Sequence, residues 1–166
     1  EVLLHAVAQI KNQIPNLKCL IAGNGAQLAD FKEQIKILQI SDLVIFEGSI
    51  PYKKLVGFYN KLDLFIFPTQ LNESLGLVGI EALLCGVPVL GSKIGGLQDY
   101  IIDGENGAFF EPGNYQDLAI KIIDLFIHKS KLNNLRIATV KSVDKYQNKI
   151  VANQLSLKLE EIVLKK

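Results

Sequence analysis

One glutamate constrains this sequence more than any other residue. Glu81 is the only charged side chain between Glu73 and Lys93. An apolar segment ends at Phe67-Pro68, a polar loop runs through Thr69–Ser74, and an apolar run follows from Gly76 to Gly86. A second apolar segment starts at Pro88. Strand, loop, helix and strand in that order make a βαβ unit, the building block of parallel sheets. Glu81 falls about one turn inside the helix, where a charge is costly to bury unless something pairs with it. The helix dipole offers a bland account, since it favours a carboxylate near the N-terminus by about 0.3–1 kcal/mol. Glu73 reads equally well as a loop acid near the helix start.

The rest of the chain repeats the alternation. Val2, Leu3, Leu4, Ala6, Val7 and Ile10 share one helical face, and Pro15-Asn16 marks the end of that helix. No capping residue precedes them, so the helix is expected to begin upstream and the chain to be part of a longer protein. Leu17–Ala22 reads as a buried strand, Gly23-Asn24-Gly25 as its exit turn, and Ala26–Leu38 as a helix. The turn lacks the third glycine of a dinucleotide fingerprint, because Leu28 stands there. Leu43–Glu47 is the next strand, with Gly48-Ser49-Ile50-Pro51 after it. A helix over Tyr52–Lys61 is expected to turn Leu55, Val56, Phe58 and Tyr59 inward.

Leu64–Phe67 feeds the central unit, and Val87–Gly91 leaves it. Gly95-Gly96 opens a short helix to Ile101, and Asp103–Gly107 forms a turn whose two glycines suit positive φ. A short strand at Ala108–Phe110 and a helix over Tyr115–Ile127, capped by Pro112-Gly113-Asn114, complete the α/β part. Beyond Lys129 only helix is expected: a small one carrying Leu132, Leu135 and Ile137, then an amphipathic one over Gln147–Leu164. In the latter, Leu155, Leu159 and Ile162 make an apolar stripe that requires cover.

This alternation predicts an α/β fold, a Rossmann-like doubly wound parallel sheet over residues 1–166 with a C-terminal helical extension. Right-handed crossovers place every strand's C-terminal end on one edge. Residues 23–25, 48–50, 73–78 and 92–96 should therefore line one crevice, suited to a nucleotide-like or phosphorylated ligand. A net charge of +1 gives no electrostatic case for nucleic acid. Cys19 and Cys85 read as small buried hydrophobes, with no zinc or disulfide pattern, so a reducing cytoplasmic setting is the default. His5 and His128 read as structural.

Glu73 and Glu81, with Gly76 between them, Cys85-Gly86-Val87-Pro88-Val89 after the helix and Ile94-Gly95-Gly96-Leu97 beyond, form an ordered set. It resembles the E-x7-E signature of retaining glycosyltransferases of the GT-B fold, in the large family that includes bacterial capsule and lipopolysaccharide sugar transferases. The resemblance spans nearly the whole chain. It implies the C-terminal, donor-binding half of such an enzyme, with its first strand and its N-terminal acceptor domain upstream of Glu1.

On that resemblance Glu81 accepts hydrogen bonds from the ribose hydroxyls and Glu73 lies beside the donor sugar as the catalytic-site carboxylate. Backbone groups around Ser74, Gly76, Leu77 and Val78 face the diphosphate and sugar. Gly25 and Ile50 join the donor site, the Gly48–Ile50 loop lying against the base with Lys53 and Lys54 flanking it. The donor is a UDP- or GDP-sugar and the acceptor a glycan or lipid-linked molecule. No metal or further cofactor is implied, and peripheral association of the full-length enzyme with the inner membrane face is compatible with such acceptors. Two departures stand out. Glu73-Ser74-Leu75-Gly76 replaces the commoner Glu-Gly-Phe-Gly, and the diphosphate-binding Arg and Lys fall upstream of residue 1. A GT-B sugar-nucleotide epimerase and a non-catalytic nucleotide-binding module are the alternatives.

Overall fold

The strand that holds the molecule together is the one that follows the Glu81 helix. Val89–Ser92 (β4) is buried along its whole length. Its alternating side chains enter two different cores: Val89 faces Ile80, Leu83 and Leu97, and Leu90 faces Ile10, Phe110 and Leu118. A strand apolar on both faces belongs in a sheet covered by helices on both sides.

The computed structural model describes residues 1–146. The predicted helix over 147–164, with Leu155, Leu159 and Ile162, lies outside the described residues. In chain order the elements are α1 (Val2–Ile10), β1 (Cys19–Ala22), α2 (Leu28–Ile37), β2 (Val44–Gly48), α3 (Leu55–Tyr59) and β3 (Phe65–Phe67). Then come α4 (Leu77–Leu84), β4, β5 (Gly107–Phe110), α5 (Tyr115–Ile127) and α6 (Lys129–Ser142). All strand pairs are parallel, β1 with β2 and β3-β4-β5 in order.

The expected sheet is divided. Among the described residues β1–β2 and β3–β4–β5 are separate hydrogen-bonded ladders. Among those residues one edge of β1 and one edge of β3 carry no strand partner, and a groove of about 600 Å³ lies between them. Leu3, Val7 and Ile10 of α1 line it together with Leu20 of β1, Ile66 of β3 and Phe126 of α5.

Several local expectations need correction. α1 ends at Ile10, where the Gln13 amide donates to the Ile10 carbonyl in a tight turn, well before Pro15. The helix expected over Tyr52–Lys61 is a 3₁₀ turn at Tyr52–Lys54 followed by the short α3. That break in phase turns Val56 outward, 60% exposed, while Phe58 and Tyr59 stay buried. The short helix expected from Gly95 to Ile101 is a 3₁₀ helix that stops at Asp99. Of the two turn glycines only Gly104 has positive φ, because Gly107 is already in β5. α6 is longer than expected, and Ile137 points to solvent at 82% exposure. The Asn114 cap is as read: its side chain accepts from the Asp117 amide at 3.0 Å. Cys19 and Cys85 are free and only partly buried. Burial pushes the Cys19 thiol up to about 11.

α6 is tied down at its middle and at its C-terminal end. Arg136 reaches Asp63, just before β3, at 2.7 Å. Asn106, fully buried, accepts from the Ile102 amide at 2.7 Å and donates to the Tyr100 carbonyl at 2.8 Å and to Ser142 Oγ at 2.7 Å. Replacing Asn106 with Ala takes these partners from the part-buried Ile102 amide and the buried Tyr100 carbonyl. The expected loss is about 2–3 kcal/mol of stability, seen as a lower urea midpoint at unchanged m-value. A shift within about 0.5 kcal/mol would show that the network contributes little.

Candidate active site

The turn between β3 and α4 is built against the turn after β4. Gly76 takes a left-handed conformation, φ 72°, and forms the N-cap of α4 without any side-chain cap. Helix geometry then leaves the first amides, those of Leu77 and Val78, without intrahelical acceptors. The side chains of both residues are exposed, 64% for Leu77 and 40% for Val78. The terminus therefore presents uncapped N–H groups at an accessible surface, an arrangement that favours anions.

Two glycines permit the neighbouring turn to come close. The Gly96 amide donates to the Glu73 carbonyl at 2.8 Å. A Cβ on Gly96 would collide with the Ser74 carbonyl oxygen, and one on Gly95, where φ is 54°, would sit 2.6 Å from the Glu73 carbonyl oxygen. Residues 73–76 and 95–96 thus form one unit, as expected from strand-end convergence. The Gly23 amide likewise donates to the Gly48 carbonyl at 2.8 Å, joining the exits of β1 and β2. Ile50 packs on the same core cluster as Ile80 and Leu83 of α4. Gly25 stands apart, exposed and with open space around it. Lys53 and Lys54 are exposed on the 3₁₀ turn before α3.

Both glutamates are half-buried. Glu73 Oε1 lies 3.3 Å from Thr69 Oγ1, which caps the loop by accepting from the Leu71 amide at 3.1 Å. The Glu73 charge also reaches Tyr100: burial first, and that carboxylate second, push the Tyr100 phenol up. Tyr100 donates to the Gly76 carbonyl at 3.2 Å. The residue opposite its hydroxyl is Gly79, where any Cβ would strike the phenol oxygen.

Glu81 has the partner that its surroundings demand. The Tyr59 hydroxyl lies 2.9 Å from Glu81 Oε2 and 3.2 Å from the Val78 carbonyl. Burial, then the hydrogen bond to Glu81, push the Tyr59 phenol up. Cys85, one turn further along α4, is also pushed up, by burial and then by the Glu81 charge. The sequence showed Tyr59 only as one inward residue of an apolar helix. Its pairing with a glutamate of another element became visible once both were placed on one core. At the end of β4, Ser92 Oγ is buried with no hydrogen-bond partner among the described residues.

The family model for glycosyl transferases group 1 matches residues 1–142. The chain belongs to that family. A D-inositol 3-phosphate glycosyltransferase of Streptosporangium roseum is 31% identical over 78% of this chain and 31% of its own length. A GDP-mannose-dependent α-(1-6)-phosphatidylinositol monomannoside mannosyltransferase of Mycolicibacterium smegmatis is 26% identical over 75% of this chain and 34% of its own. Anabaena HepE, solved with UDP-glucose, superposes with a TM-score of 0.80 at 26% identity, covering 96% of this chain and 44% of that one. The group 1 chain thus spans about a third of these two curated relatives. Its fold is that of GT-B glycosyltransferases, as the resemblance implied.

The close seat of the two turns gives a direct test. Gly96→Ala forces the Ser74 carbonyl away and is expected to lower stability by about 1–3 kcal/mol, read by thermal unfolding. A variant as stable as the parent would mean that the turns separate freely.

Proposed function

We propose that this chain is the donor-binding domain of a longer retaining glycosyltransferase that takes a UDP- or GDP-sugar. The observation that carries this is the uncapped N-terminus of α4, seated between Glu73 and Glu81 and locked onto Gly95-Gly96. Family membership supports it, as does the UDP-glucose complex of HepE. In this assignment the amides at Gly76, Leu77 and Val78 meet the diphosphate. Ser74 and Glu73 flank the sugar, Glu81 accepts from the ribose hydroxyls, and Ile50 and Gly25 belong to the base side. Transfer with retention leaves charge on the departing diphosphate, which a positive helix end stabilises. No resident metal or cofactor is assigned, and the nucleotide sugar is the substrate.

The acceptor is assigned to an N-terminal domain preceding this chain. The groove between β1 and β3 supports a longer polypeptide, because a parallel strand leading into α1 would have two free edges to join. A right-handed crossover through α1 would set it beside β1. A glycan or lipid-linked acceptor in capsule, exopolysaccharide or lipopolysaccharide synthesis remains our assignment. The mannosyltransferase named for a phosphatidylinositol mannoside supports a lipid-linked class. We place the enzyme in the cytoplasm, at the inner membrane face when its acceptor is lipid-linked. No described helix is long and apolar enough to cross a membrane.

Calorimetry with UDP and GDP tests the donor assignment. Glu81→Ala in the full-length protein should weaken the preferred diphosphate about ten- to a hundredfold, the worth of a hydrogen bond to a charged acceptor, with the fold retained. Unchanged affinity would leave Glu81 as a helix-dipole residue only.

The 166-residue chain alone is expected to transfer no sugar. Holding donor and acceptor in register is worth about 7–11 kcal/mol of barrier, and only the donor side is present here. Incubation with nucleotide sugars and candidate acceptors checks this, and glycosylated product from the chain alone would overturn the two-domain assignment.

A further inference from the structure

Tyr59 does not line the crevice assigned to the donor. It is buried at 3% exposure, fixed edge-on by Phe58 and Phe65 with ring centroids 5.9 and 5.8 Å away. Its hydroxyl nevertheless meets the Glu81 carboxylate at 2.9 Å. We propose that Tyr59 is a positioning residue, whose phenol holds Glu81 in the rotamer that receives the donor's ribose. This rests on the donor reading of Glu81 given above.

A glutamate side chain has three rotatable bonds, and ordering it on binding subtracts from affinity. The neighbours of Glu81 on its own helix, Leu77, Val78, Leu84 and Cys85, include no strong donor, so another element must supply one. Here α3 supplies a rigid one. The phenol is planar, its ring is locked by two aromatic neighbours, and it has a single proton to give. Two acceptors lie within reach of that proton, Glu81 Oε2 at 2.9 Å and the Val78 carbonyl at 3.2 Å. The nearer one is charged, and hydrogen bonds to charged acceptors are shorter and stronger. The bond occupies one carboxylate oxygen. Among the described residues Oε1 accepts no hydrogen bond, so its lone pairs remain for a ligand hydroxyl. The same phenol sits beside the Val78 carbonyl, in the first turn of α4, so it registers the carboxylate against the helix end assigned to the diphosphate. A phenol is protonated throughout the physiological range in any case, and burial pushes this one further up, so it remains a donor.

Tyr59→Phe keeps the ring and removes only the donor. The assay is calorimetry on the full-length protein with UDP or GDP, whichever the wild type prefers, and with its 2′,3′-dideoxy counterpart. Tyr59→Phe should weaken the ribonucleotide about three- to tenfold and leave the dideoxy ligand unchanged. In a Glu81→Ala background it should have no further effect, because nothing is left to position. Equal weakening of both ligands, or a full effect in the Glu81→Ala background, would show a general structural role and overturn the proposal. So would unchanged ribonucleotide affinity. A wild-type protein that binds neither diphosphate would sink the donor reading itself, and this inference with it.

A second measurement does not depend on that variant folding. The Tyr59 hydroxyl proton should give a slowly exchanging NMR resonance that shifts in Glu81→Ala. An unshifted resonance would make the Val78 carbonyl the true acceptor and remove the positioning role.

Discussion

Two-sided burial of β4 is the constraint on which the other parts rest. Val89 and Leu90 are fully buried in opposite directions, and each such side chain contributes about 1.5–3 kcal/mol relative to exposure. Helices must therefore stand on both faces, α4 on one and α1 with α5 on the other. Parallel pairing on both edges fixes where β3 and β5 end. Once those ends are set, the turns carrying Glu73 and Gly95-Gly96 have little choice but to meet. The candidate site is thus a consequence of sheet topology, with the glycines removing the last steric obstacle.

The central unit was legible because its signals agree. Apolar runs bounded by Pro68 and Gly86, a lone acid between them and paired glycines after the next strand all describe the same βαβ geometry. The Asn114 cap was legible for a similar reason, since Pro112-Gly113-Asn114 before an apolar run marks a helix start. Periodicity was less reliable where an element is short. Five residues of α3 do not establish a helical phase, and the preceding 3₁₀ turn rotates Val56 to solvent. Ile137 misled for another reason: the buried face of α6 carries Leu132, Leu135 and Thr139, and Ile137 falls off it.

Other features were not legible because they depend on what lies between elements. A sequence shows which segments can be strands but not whether neighbours in space are hydrogen-bonded. β1 read as a buried strand and β3 as the strand feeding the central unit, yet among the described residues each is an edge strand with one side open to the same groove. Tyr59 is the sharper case. Glu81 signalled by its isolation that a partner must exist, and nothing in the linear pattern distinguished Tyr59 from the apolar residues around it. Distance in the fold, not spacing in the chain, makes the pair.

Glu73 and Glu81 end up in different physical settings although they belong to one motif. Glu73 sits in a loop, its carbonyl engaged by Gly96 and its carboxylate near a threonine hydroxyl that can turn away. Glu81 sits on a helix, its carboxylate against a phenol that cannot turn. Under the proposed assignment, Glu73 beside the sugar has the adaptable setting and Glu81 at the ribose the fixed one. Between them, the bare end of α4 owes its free amides to Gly76, whose left-handed turn brings no side chain to cap them. A side chain is disfavoured there, because in the left-handed conformation a Cβ would sit 2.7 Å from Phe67 Cε1. The same glycine that lets the turn pack on Phe67 therefore leaves the start of α4 with no side-chain cap.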